Sequence, residues 1–166
     1  MDLTLSPVAQ ADVDAVQLLL ESEPGYSERV TGYPPGPSDG LSLLIGRPEG
    51  VPDEDKIVLG GWWKGSSLVS VVDVLRHWPT DDTAHIGLLL VDRRRQGEGL
   101  GRRTLTALYA QARTWDRVHR WRISVVRTND HVLPFWHRMG YAATGEIKSY
   151  RYDHIRSEVM ILTRDA

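Results

Sequence analysis

The spacing of apolar residues along this chain changes period several times, and each change marks an element. Leu3–Leu5 reads as a short strand ended by Pro7, and Ala11–Glu21 carries Val13, Val16, Leu19 and Leu20 at helical spacing. From Lys56 the pattern turns strand-like. Ile57–Lys64 and Leu68–Arg76 are joined by Gly65-Ser66-Ser67, a hairpin signal. Ala84–Val91 is apolar on both faces, as a central strand covered from both sides would be. Leu100–Trp115 sets Leu105, Leu108, Ala112 and Trp115 along one side of a helix. Trp121–Val126 alternates again. A short helix is predicted over Leu133–Met139, with Pro134 in its first turn and Gly140 just past its end. Strands follow near Tyr141–Tyr152 and Val159–Thr163.

Between the first helix and the hairpin the character is different. Residues 24–55 hold six of the nine prolines and six of the fifteen glycines. Only Leu41–Ile45 looks helical there, with Ser38 or Asp39 as N-cap and Gly46 as stop. Two readings stand: a lid over a binding site, or a surface excursion. Tyr26, Tyr33 and the Leu41–Ile45 run give a lid something to pack, and the lid is preferred.

At 166 residues, 41% of them hydrophobic, the chain suits one domain spanning 1–166 with a full-sized core. No repeat is visible. No apolar run approaches a membrane span of roughly 18 residues, and the N-terminus lacks a secretory pattern. There are no cysteines, so disulfides, thiolate metal sites and a cysteine nucleophile are excluded. A cytoplasmic setting is expected. Net charge is −2, split between −9 over residues 1–55 and +7 over 56–166, which suggests partners of opposite sign for the two parts. Scattered solvated charge is the competing account.

The chemistry concentrates in LLLVDRRRQGEGLGRRTL. A buried strand ends at Val91, a glycine-rich turn follows, and a helix begins near Gly99. A helix start presents free backbone N–H groups and the positive end of its dipole, which together attract anions. Arg93, Arg94, Arg95, Arg102 and Arg103 flank the turn, and arginine donates two parallel hydrogen bonds to phosphate. A ligand with several phosphates is implied. A Walker loop reading weakens because Gly101-Arg102-Arg103-Thr104 stands where Gly-Lys-Ser/Thr is needed. The dinucleotide fingerprint weakens because Arg102 takes the place of its third glycine.

The spacing that fits is Gln96-x-x-Gly99-x-Gly101, with Val91 five residues before the glutamine. It resembles the acyl-CoA signature of the GNAT superfamily of N-acetyltransferases. A second block, Asn129, Val132, Phe135, Trp136 and Gly140-Tyr141, resembles that family's Asn-x-x-Ala-x-x-Phe-Tyr-x-x-x-Gly-Phe segment. The resemblance covers nearly the whole chain and is most specific over 84–141, the acetyl-CoA-binding core. It implies an α/β fold: a mixed, mostly antiparallel sheet of six to seven strands, helices on both faces, and a splayed central parallel pair. The pyrophosphate would lie on Gln96, Gly97, Glu98, Gly99, Leu100, Gly101 and Arg102. The pantetheine arm would run beside Leu89, Leu90 and Val91, with Asn129 at the cleft edge. Residues 1–55 would form the acceptor-side or lid portion.

The implied reaction is transfer of an acetyl group from acetyl-CoA, as cosubstrate and without a metal, to a primary amine of a small molecule or peptide. A lysine-like amine, with a pKa of about 10.4, must lose a proton first. His85 is a candidate base, because alternation would put 85, 87, 89 and 91 on one face of the strand. A strand-start histidine hydrogen-bonded near solvent is the other reading. Trp136 stands where many family members carry a tyrosine taken to protonate the thiolate, and an indole N–H is no practical proton source. Tyr141, Tyr150, Tyr152 or water could substitute, or a thiol pKa of about 8.5 could make an acid unnecessary. The rival function is a non-catalytic acyl-CoA-binding module. The acidic N-terminal third predicts a cationic acceptor. Nucleic acid and membrane are not expected as partners, since the basic residues cluster at one turn. Assembly is left open, with a homodimer one option.

Overall fold

The computed structural model describes residues 2–166. Its sheet has seven strands: β1 (Leu3–Pro7), β2 (Lys56–Trp63), β3 (Ser67–Arg76), β4 (Thr83–Val91), β5 (Arg120–Val126), β6 (Ala142–Tyr152) and β7 (Ile155–Asp165). Their spatial order is β1-β2-β3-β4-β5-β7-β6. Every neighbouring pair is antiparallel except β4 and β5. The mixed, mostly antiparallel architecture expected from the sequence is the one found.

Alternation along β3 sorts the helices onto two faces. Val72 and Val74 pack with Leu105 and Leu108 of α4 (Leu100–Ala112). Val71 packs with Leu19 of α1 (Val13–Ser22) and with Leu43 and Leu44 of α3 (Asp39–Ile45). Both faces are buried, so β3 reads as a nearly continuous apolar run.

The stretch 24–55 is the main correction to the sequence reading. It contains α2 (Pro24–Thr31) as well as α3, which itself starts two residues earlier than expected. Pro24 sits in the first turn, where its missing N–H costs nothing. The Glu23 carboxylate accepts from Gly25 N–H at 3.2 Å, and Gly32 closes the helix at φ 82°. Pro24 and Gly32, which suggested a loop, are the two ends of a helix, while 32–38 and 46–52 remain irregular. Elsewhere the differences are at ends: α4 stops at Ala112 rather than Trp115, and β7 is longer than the apolar run Val159–Thr163 because its outer residues pair with β5 and β6.

Two irregularities make the site. The parallel ladder between β4 and β5 runs only from Thr83–Arg120 to Ile86–Ile123, after which the strands diverge. On the other side, β3 and β4 shift register: Asp73 faces Leu88, while Val74 faces Ile86. Gly87 is the extra residue of a bulge. It reverses which side chains share a face. Ala84 and Ile86 join Leu89 on the α4 side, whereas Leu88 and Leu90 face α1.

Candidate active site

The divergence of β4 and β5 opens a cleft of about 1230 Å³, reaching from Glu23, Tyr26 and Arg29 on one side to Phe135, Trp136 and Met139 on the other. Its lower end is the turn before α4. Gly97 and Gly99 adopt φ of 84° and 77°, a region that L side chains rarely enter. The backbone N–H groups of Gly97 through Arg102 find no acceptor among the described residues. The first bond of the helix begins later, from Arg103 N–H to the Gly99 carbonyl at 3.1 Å. A row of free amides thus borders the cleft at the positive end of α4, a cradle that fits a pyrophosphate. Gly101 leaves room for a different neighbour: a Cβ there would crowd Phe135 Cε1 of α5 (Leu133–Arg138) at 3.3 Å.

Gln96, Gly97, Gly99, Leu100, Gly101 and Arg102 all line the cleft, as do Leu89, Leu90, Val91 and Asn129. Glu98 does not; its carboxylate turns away to pair with Arg95 at 2.7 Å. The arginines divide the labour. Arg94 folds back on Asp92, whose carboxylate it holds below the usual range. Arg95 and Arg103 lie over the ring of Trp63 at 4.2 and 5.5 Å. Arg113 and Arg138 also line the cleft, and neither was picked out from the sequence because both lie outside the motif.

β4 lines the cleft from Ile86 to Val91, and past Ile86 its edge toward β5 has no strand partner. An extended amide-bearing chain can pair there. Asn129 is buried, and its Oδ1 accepts from Arg29 Nε at 2.7 Å. Thr128 Oγ1 donates to the Arg29 carbonyl at 2.6 Å, and the Tyr150 hydroxyl to the Val30 carbonyl at 2.5 Å. The Tyr33 hydroxyl donates to Asp153. α2 is therefore strapped across the cleft to the segment that follows β5 and to β6.

Two catalytic candidates are not placed as the sequence suggested. His85 does not line the cleft. The bulge at Gly87 puts it on the face opposite Leu89, because the alternation argument assumed an unbroken strand. Its Nδ1 accepts from Arg122 at 3.1 Å and its ring packs on Trp78. Burial, helped by the Arg122 charge, pushes its pKa down to about 3. Tyr141 is also outside the cleft. Its hydroxyl pairs with that of Tyr109 at 2.8 Å, and burial drives its pKa up. Trp136 does line the cleft, packed edge-on against Phe135 and Tyr141.

The other side of the cleft carries groups that sequence reasoning weighted lightly. Glu23 is buried, accepts from Gln96 Nε2 at 2.8 Å and lies 3.7 Å from Arg93. Tyr26 lines the cleft wall; burial, with Tyr150 and Asp73 nearby, pushes its phenol up to about 12. It is a hydrogen-bond donor that stays protonated. A second cavity of about 350 Å³ adjoins here, sharing Glu23, Tyr26, Gly87, Leu88 and Leu90 with the cleft. Of the acidic N-terminal third, Glu23 and Asp39 reach these cavities; Glu21 does not, and Asp53 and Asp55 are taken up by Arg47 and Arg76. The charge split is broader than its effect on the site. Among the described residues there is no cluster suited to a metal ion, and no helix long and apolar enough to cross a membrane.

A sheet split at its one parallel pair, over a helix start with free amides, defines a protein that binds a phosphate-bearing extended ligand between β4 and β5. The chain belongs to the Acetyltransferase (GNAT) family, whose model matches residues 24–141, and is an acetyl-CoA-dependent acyltransferase. Solved structures of the same fold include an acetyltransferase from Thermus thermophilus, 21% identical, with a TM-score of 0.77 over 100% of this chain and 98% of that one. The ribosomal-protein-S18-alanine N-acetyltransferase from Escherichia coli is 17% identical, with a TM-score of 0.69 over 98% and 93%. The spermidine N-acetyltransferase from Vibrio cholerae, in complex with CoA and spermine, is 14% identical, with a TM-score of 0.75 over 99% and 95%. No curated protein matches the sequence closely enough to be named as a relative.

Proposed function

We propose that this chain transfers the acetyl group of acetyl-CoA to the primary amine of a small molecule or peptide, by direct attack within a ternary complex. The observation that carries this reading is the run of unbonded amides from Gly97 to Arg102, set below an unpaired β4 edge. The amides and Arg102 would hold the pyrophosphate, and the β4 backbone at Leu89 and Val91 would align the pantetheine arm. An N–H near Leu89 would hydrogen-bond the thioester carbonyl and stabilise the oxyanion that forms. That Escherichia coli and Vibrio cholerae enzymes of this fold are an alanine and a spermidine N-acetyltransferase supports an amine acceptor.

The amine reaches the protein as an ammonium and loses one proton before attack. Its nitrogen then bonds to the carbonyl carbon, the C–S bond breaks, and the second amine proton neutralises the leaving thiolate. Residues 1–55 supply the acceptor wall through Tyr26 and through Glu23 and Asp39, whose two carboxylates favour a cationic group. Neither His85 nor Tyr141 touches the cleft, so the proton path runs through other groups.

The test is free-thiol release from acetyl-CoA with a panel of primary amines. Turnover above the uncatalysed rate is expected for at least one class. Tight coenzyme A binding with no turnover on any amine would overturn the reading and leave a non-catalytic acyl-CoA-binding module.

A further inference from the structure

We infer that the smaller cavity is the acceptor pocket and that it selects a free α-amino acid with an aliphatic side chain, recognised by the Lys56–Asp73 ion pair. This rests on the acyl-transfer reading above and names its substrate class.

The pair is unusual for its position. Lys56 Nζ lies 2.6 Å from Asp73 Oδ1, and the two side chains are only 7% and 14% exposed. Both line the cavity. Oδ1 is fully buried against Lys56, whereas Oδ2 is not sealed in and accepts from no donor among the described residues. Lys56 can donate three hydrogen bonds and has no partner besides Asp73 among the described residues. Two buried charges with spare capacity facing a cavity are costly unless something completes them.

The complement is dictated by charge. The pair is neutral as a unit, and a lone ammonium would carry net charge into a low-dielectric pocket. A zwitterion would not. Its ammonium can donate to Asp73 Oδ2 while its carboxylate accepts from Lys56, closing a square of alternating charges. An α-amino acid carries those two groups on a single carbon, which suits a pair whose own charges touch.

The remaining wall sets the side chain. Leu20, Val30, Leu43, Leu88 and Leu90 surround the space, and about 350 Å³ suits a small molecule. The other carboxylates are engaged: Asp39 accepts from Gly36 N–H at 2.9 Å, and Glu23 from Gln96 and Gly25. Beyond the pair, a polyamine would find only Glu23 and Asp39, each already holding a backbone amide, along a largely aliphatic wall. Placement also serves the chemistry. Asp73 Oδ2 lies 3.0 Å from where a Cβ on Gly87 would be, so the carboxylate sits at the bulge where the cavity opens into the cleft. A Cβ at 87 would crowd that carboxylate. Burial raises the Asp73 pKa despite Lys56, which makes its carboxylate a better proton acceptor for the bound ammonium.

The experiment compares leucine, leucinamide, 3-methylbutylamine, spermidine and a leucine-initiated peptide by thiol release on the unmodified protein. Leucine is expected to exceed leucinamide and 3-methylbutylamine at least tenfold in kcat/KM, since only leucine brings a carboxylate to Lys56. In Lys56→Met that preference is expected to vanish, with the acetyl-CoA Kd unchanged as a check on folding. Equal use of leucinamide, or a best acceptor among spermidine and the peptide, would overturn the inference while leaving acyl transfer intact. Should no amine turn over, calorimetry of leucine on the coenzyme A-loaded protein still decides the pocket. Saturable binding lost in Lys56→Met supports it, and no binding overturns it.

Discussion

Gln96, on the turn that faces the phosphates, donates its side-chain amide to Glu23 at the junction of α1 and α2, at 2.8 Å across 73 residues of sequence. Glu23 lines both cavities, so one carboxylate joins the coenzyme side of the cleft to the acceptor side. It also accepts from Gly25 N–H and so holds the start of α2.

Removing that carboxylate should therefore affect both substrates. Glu23→Ala frees Gln96 and is expected to raise the acetyl-CoA KM about two- to tenfold, the value of one hydrogen bond of roughly 0.5–1.5 kcal/mol. Glu23→Gln keeps an acceptor for Gln96, so its acetyl-CoA KM should stay near wild type while the acceptor KM rises. Steady-state kinetics with each substrate varied separates the two effects. An acetyl-CoA KM equally raised in both variants would show that charge, not the Gln96 contact, sets the turn.

The phosphate cradle depends on backbone conformation, which glycine substitutions test directly. Gly99 and Gly50 share a positive φ, 77° and 85°, with nothing close to where a Cβ would stand. Gly99→Ala and Gly50→Ala should each cost about 1–2 kcal/mol of stability, since the strain is the same. Only Gly99→Ala should weaken coenzyme A binding, because Gly50 is remote from the cleft. Chemical denaturation and calorimetry check the pair. Equal Kd values would mean that the turn amides do not hold the phosphates.

What could be read from sequence follows the range of the physics involved. The turn from Val91 to Gly101 was legible because its chemistry is local: glycines, a helix start and arginines within a few residues. α2 was not, since Pro24 and Gly32 act as caps there and look identical to loop residues in one dimension. The face of His85 was misread because the Gly87 bulge exists only in the pairing of β4 with β3. Tyr141 finds its partner 32 positions away in Tyr109, and Asp73 gains its setting from Lys56 on the neighbouring strand. Periodicity shows which residues alternate, not where a strand slips or what lies across it.

His85 gives a pH prediction with a definite sign. Its folded pKa, about 3, lies below the unfolded value of about 6.5, so the unfolded chain takes up a proton first as pH falls. Stability is level above pH 6.5 and declines below it, by about 2 kcal/mol between pH 6.5 and 5. His85→Gln should flatten that decline in urea titrations at the two pH values. It should leave the pH profile of kcat/KM in place, because the ring lies outside the cleft. A shifted profile would return His85 to the proton path.

Trp136 decides whether the leaving thiolate needs an acid. It lines the cleft where a proton donor would serve, yet its indole can only hydrogen-bond. Tyr26, the phenol of the opposite wall, is pushed up to about 12, which makes proton transfer to a thiolate unfavourable by more than three powers of ten. With a thiol pKa of about 8.5, departure as the thiolate, neutralised afterwards by the second amine proton passed through water, is the easier course. Trp136→Phe and Trp136→Tyr should then show kcat values within about threefold of each other, despite the added phenol. Both should lose about 1–2 kcal/mol of stability, since a smaller ring packs less well against Phe135 and Tyr141. A tenfold higher kcat for the tyrosine variant would mean that thiolate protonation limits turnover and that the indole holds the reaction back.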